Sequence, residues 1–163
     1  MSVFRSLVED THGAAAAEMA LVTPLLVILL FGGFELGHYF YSQQVVTKAV
    51  RDGSRYAARL GFADYTGCAA ATGAADKIKL VTRTGTLLSS APPLVRGWTD
   101  PSTITVSVSC DTTTMTGIYR SMAGGAPRVT VAASVPYTSL FGGMVFDGNM
   151  TLNAEAQAAV MGF

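Results

Sequence analysis

GAAAAEMALVTPLLVILLFGGFELGHYFYSQQVVTKAVRDGSRYAARL, residues 13–60, is the stretch on which the fold turns. From Ala14 to Phe34 it is apolar except for Glu18 and Thr23. As a helix rising ~1.5 Å per residue, that segment reaches ~32 Å, the thickness of a bilayer's hydrocarbon core. Beyond Phe34 the apolar residues do not stop but thin out. Leu36, Tyr39, Phe40, Val46, Val50, Ala57 and Leu60 recur at three- and four-residue steps, with Gln43, Gln44, Lys48, Arg51, Asp52 and Arg55 between them. This predicts one helix from about Ala14 to Leu60, ~70 Å long, whose second half is amphipathic. Gly61 is the expected C-cap. Pro24 removes a backbone donor in mid-span, so a kink or local unwinding is expected near residues 20–24.

A cleaved secretory signal is the rival reading, and the order of residues argues against it. Such a signal places small residues after its apolar core. Here the small run Gly13-Ala14-Ala15-Ala16-Ala17 precedes the core, and Phe31-Gly32-Gly33-Phe34-Glu35 follows it without an A-x-A site. A retained anchor is therefore expected. Basic residues near its ends, Arg5 before and Lys48 and Arg51 after, would by themselves put the carboxyl side in the cytoplasm. A domain of about a hundred residues translocates largely regardless of flanking charge, so the bias does not decide orientation.

The remaining sequence changes period. Residues 61–73 are loop-like and contain Cys68, and Ala74 to about Ser89 predicts a second helix stopped by Pro92 and Pro93, with Ile78, Val81, Leu87 and Leu88 as its apolar members. Ser102 to Cys110 alternates strictly, which sets Ile104, Val106, Val108 and Cys110 on one face of a strand. Arg128–Val135, closed by Pro136, and Met150–Met161 are two further strands. The fold class is α+β: a long N-terminal transmembrane and amphipathic helix across an antiparallel sheet of about three strands, with a second short helix. Asp147-Gly148-Asn149 reads as a turn rather than a calcium loop, because it has too few carboxylates. The expected divisions are a leader at 1–13, the membrane part of the helix at 14–34, its amphipathic continuation at 35–60, and the α+β domain at 61–163.

Composition narrows function. Charged residues are only 13%, about half the share of an ordinary soluble domain, and formal net charge is zero. Nothing in that balance suggests a nucleic-acid partner, which would want a basic face. Cys68 and Cys110 have no histidine beside them, which makes a metal site poor chemistry, and in an oxidising compartment a disulfide between them is expected. The two histidines are His12 and His38, so the C-terminal domain holds no imidazole for a Ser-His-Asp or Cys-His arrangement. His38 beside Tyr39 reads as an interfacial residue rather than a base. No phosphate-binding glycine loop is present, and no motif pairs Asp64, Asp76, Asp100 or Asp111 for acid–base work. An enzyme is not expected, nor a metal or cofactor.

Glu18 is the residue that most needs a reason. A carboxylate in an apolar span costs roughly 2.5–3.5 kcal/mol on insertion scales, unless headgroups at the interface solvate it. The combination Gly13-Ala14-Ala15-Ala16-Ala17-Glu18 resembles the processing site of type IV-like prepilins, in which a prepilin peptidase cuts after the glycine. The longer run, with Pro24, Gly32-Gly33, Glu35-Leu36-Gly37 and Ala49 to Ala58, resembles the amino-terminal signature of TadE-like pseudopilins of the Tad pilus. Met19 stands where that family usually has an aromatic. The resemblance covers about the first third of the chain.

It implies cleavage between Gly13 and Ala14, and a new ammonium on Ala14. A neighbouring subunit's Glu18 would pair with that ammonium and set the register of stacked helices. Small residues at 14–17 and at Gly32 and Gly33 would let helices approach closely. The implied partners are the prepilin peptidase, other TadE-like or TadF-like subunits, the major pilin, the inner-membrane platform and ATPase, and membrane lipid. The implied site is the bacterial inner membrane, crossed once, with the C-terminal domain extracytoplasmic and carried into a surface pilus. The competing class is a membrane-tethered binding or adhesion module that never assembles, and an extracytoplasmic enzyme ranks last.

Overall fold

The computed structural model describes residues 11–113, 115–120, 122, 124–142 and 150–162, the side chains of residues 11, 12 and 14 excepted. Most of the expected leader, the side chains of His12 and Ala14, and the turn at Asp147-Gly148-Asn149 thus lie outside the described residues. One α-helix, α1, runs from Thr11 to Ala58. It stays α-helical through residues 20–24 with Pro24 inside it, and Thr23 Oγ1 donates to the Met19 carbonyl at 2.6 Å. Proline leaves the Ala20 carbonyl without its usual i+4 donor, but the helix is not unwound there.

The far end of α1 differs from expectation. The helix stops at Ala58, and its last turn tightens through Arg59 N–H to Tyr56 O and Leu60 N–H to Ala57 O. Gly61 is extended (φ −65°, ψ 154°) rather than a left-handed cap. The Ala58 carbonyl is instead satisfied by Met161 N–H at 2.8 Å, from the other end of the chain. Two short 3₁₀ turns follow, Phe62–Asp64 and Thr66–Cys68.

The second helix, α2, spans Thr72–Thr84, five residues short of the expected end. Gly85 ends it in the left-handed conformation (φ 74°), its N–H returning to the Val81 carbonyl at 2.8 Å. Leu87 and Leu88, expected on its apolar face, are exposed in the segment beyond it. Where α2 crosses α1 the backbones come close. A Cβ on Gly53 would fall 2.0 Å from Thr82 Oγ1, and Thr82 is fully buried with that hydroxyl on the Ile78 carbonyl.

Three strands form an antiparallel sheet in sequence order: β1 Ile104–Asp111, β2 Ala126–Pro136 and β3 Thr151–Ala159. Val106 pairs with Val131, and Val131 with Ala156, so alternation places like residues on like faces. The inner face carries Ile104, Val129, Val131, Val135 and Leu152. Val46 and Val50 of α1, Ile78 of α2 and Trp98 close over it. Each fully buried side chain of this kind contributes about 1.5–3 kcal/mol relative to exposure. The outer face is polar: Thr105, Ser107, Asn153, Glu155 and Gln157 face solvent, with Gln157 donating to Thr130 across the strands. Cys68 and Cys110 are bonded, which ties the loop after α1 to the end of β1. Closing a loop of about 40 residues stabilises by ~4 kcal/mol in the chain-entropy picture.

Candidate functional site

From Ala15 to Leu30, α1 is left uncovered by the rest of the described protein. Every side chain described from Ala15 to Leu30 is exposed, Leu21 to 80% and Ile28 to 65%. Apolar surface of this size, all round one helix, needs an apolar medium or other helices to cover it. By length and composition α1 can cross a membrane.

The expected assembly residues sit at the tip of this free helix. Gly13 lies in its first turn, exposed and with open space around it, and Glu18 follows on an exposed turn. No hydrogen bond or ion pair reaches Glu18 among the described residues. Pro24 is farther along the same free segment. The disulfide is remote, beside the loop that follows α1's other end, so the structure does not bring Cys68 and Cys110 near Glu18. The expected residues therefore form two separate places, a bare helix tip and a covalent clasp.

A third place was not singled out for any role by sequence: Glu35, one residue beyond the apolar run. It is fully buried. The Tyr137 hydroxyl donates to Glu35 Oε1 at 2.8 Å, and Leu140 N–H lies 3.2 Å from both carboxylate oxygens. The Ser139 hydroxyl and Phe141 N–H also face the carboxylate. His38 Nδ1 is 2.9 Å from the Tyr137 oxygen. Because that phenol spends its hydrogen on Glu35, His38 must present Nδ1–H as donor. Burial, together with the hydrogen bond to Glu35 and its charge, pushes the Tyr137 phenol well above its usual range, so it stays a donor. The start of the β2–β3 connection is thereby bound to α1, and the Phe31 and Phe141 rings meet edge-on at 4.8 Å. A carboxylate in a stretch with no lysine or arginine between Arg5 and Lys48 was the available signal. Its partners, 102 and 105 positions away, carried none.

Two of the four carboxylates considered for acid–base chemistry, Asp100 and Asp111, are occupied with turns. Asp100 accepts from Ser102 N–H and Oγ at 2.8 and 2.7 Å, which holds its carboxyl below the ordinary range. Asp111 accepts from Thr113 N–H and Oγ1. An open cleft of about 600 Å³ beside the disulfide is lined by Phe62, Tyr65, Met122 and Gly124 among others, and among the described residues by no carboxylate or imidazole. Its one phenol, Tyr65, donates to the Ala57 carbonyl at 2.7 Å, and burial pushes it up to about 12. Among the described residues no three His, Cys, Asp or Glu side chains converge as a metal site.

No curated protein and no solved structure matches the chain. Residues 13–55, which include the bare helix tip, Glu18, Pro24 and Glu35, match the family model described as TadE-like protein.

Proposed function

We propose that this chain is a minor pilin or pseudopilin of a Tad-type pilus, inserted by α1, cleaved after Gly13 and assembled through Glu18. The family match supports the broader statement, a Tad-pilus-associated structural protein that works with other Tad components. The observation that carries the finer reading is the bare amino-terminal segment of α1, which leaves Glu18 without a partner among the described residues. An isolated carboxylate in an apolar segment is costly, and the Ala14 ammonium of a neighbouring, processed subunit is a partner of opposite charge one turn away in register. The neighbours would be TadE-like or TadF-like subunits or the major pilin. The prepilin peptidase, inner-membrane platform and ATPase would act on the chain before and during assembly. The disulfide favours an extracytoplasmic location for the sheet domain, with α1 crossing the inner membrane once.

The Glu18→Ala variant tests the pairing. It should enter the membrane fraction as the parent does, since removing a charge only helps insertion, yet fail to co-purify with other pilus subunits. Pili that form normally with Glu18→Ala would contradict the pairing.

A further inference from the structure

We propose that Leu140 and Phe141, at the start of the β2–β3 connection, enter the outer boundary of the bilayer beside α1 and form a second lipid contact of the domain. This rests on α1 spanning a membrane through residues 14–34. The depth of the contact follows from the helix. Phe31 lies inside that apolar run, ~5 Å short of its end at Phe34 at ~1.5 Å per residue. A ring packed on Phe31 therefore lies at or below the level where the span ends, and Phe141 is that ring.

Three observations fit a lipid neighbour better than water. Leu140 is 47% exposed and Phe34 59% exposed, so apolar side chains stand open on both the loop and the helix that the Phe31–Phe141 contact joins. The polar backbone of the loop is prepared for a dry setting: Leu140 N–H is held by the Glu35 carboxylate and Phe141 N–H by Ser139 Oγ at 3.2 Å. Backbone donors unpaired in hydrocarbon cost several kcal/mol each, and these two are paired. Glu35 itself is fully buried under the loop and presents no charge to the acyl chains. Loop and helix together make a two-point contact, which would fix both the depth of α1 and the rotation of the domain about it.

The test uses the full chain reconstituted in phosphatidylcholine vesicles doped with a phospholipid that carries a diazirine at the end of its acyl chain. After photolysis, lipid adducts are mapped by peptide mass spectrometry. Ile118 is the control: it is 54% exposed, and its neighbour Tyr119 meets Phe62 edge-on, beyond the opposite end of α1. Adducts at Leu140 or Phe141 should approach those at Phe34 and exceed those at Ile118 by about fivefold or more, as for an interfacial apolar segment. Adducts along α1 with only Ile118-level labelling at Leu140 and Phe141 would overturn the loop contact while leaving the span intact. Labelling absent from α1 as well would overturn the span, and the loop contact with it.

Discussion

Glu18 and Glu35 stand on one helix, and their surroundings demand opposite things of them. Glu18 is exposed on a bare apolar segment and meets no partner among the described residues, and the proposed assembly role places its partner on another molecule. Glu35 is fully buried, and its oxygens take a phenol and a backbone N–H from a loop more than a hundred positions on. Tyr137 joins the two sides of that contact, so Tyr137→Phe should cost about 1–3 kcal/mol at neutral pH, the usual penalty for leaving a buried polar group short of a donor. The pH dependence has a definite sign. The folded-state pKa of Tyr137 lies above the unfolded value of about 10, so its contribution is complete below that pH and fades as pH climbs past it. Denaturant melts of parent and Tyr137→Phe in the same detergent should converge above pH ~10, and a gap that widens there would refute the assignment.

At the scale of elements, the crossing of α1 and α2 is set by one missing side chain. Alanine at position 53 would improve helix propensity by about 0.5–1 kcal/mol relative to glycine. Its Cβ, however, would fall 2.0 Å from Thr82 Oγ1, in a buried place where that hydroxyl is already bonded to Ile78. Overpacking of this kind costs about 1–3 kcal/mol, so the clash outweighs the propensity gain. Gly53→Ala should lower stability by about 1–2 kcal/mol, and Gly53→Ala with Thr82→Ala should recover most of it. A double variant no better than the single one would show that the crossing is held elsewhere.

The ends of the helices show how far sequence could be trusted. The body of α1, the three strands and their alternation were legible because each follows a local period. The end of α1 was not, since Ala58 is capped by Met161 N–H, a partner that only the folded sheet delivers. At α2 the apolar spacing of Leu87 and Leu88 pointed onward, yet Gly85 adopts a left-handed turn and sends both into solvent. Glu35 was visible as a stray charge, but its role depends on where β2 releases the chain.

As a whole molecule, the protein is a small sheet domain clasped at one end by the Cys68–Cys110 bond and joined at the other to a helix that runs on uncovered. Nothing in the described domain reaches the first turns of that helix. In the proposed assembly, the acid near the tip of this apolar rod gains its partner when a neighbouring chain is cut to expose an amine at Ala14. Intact mass and N-terminal peptide mapping of the chain, recovered from assembled complexes of its native host, measure this directly. The expected result is a mature chain that begins at Ala14, without residues 1–13. Assembled complexes whose chains still carry Met1 through Gly13 would contradict it.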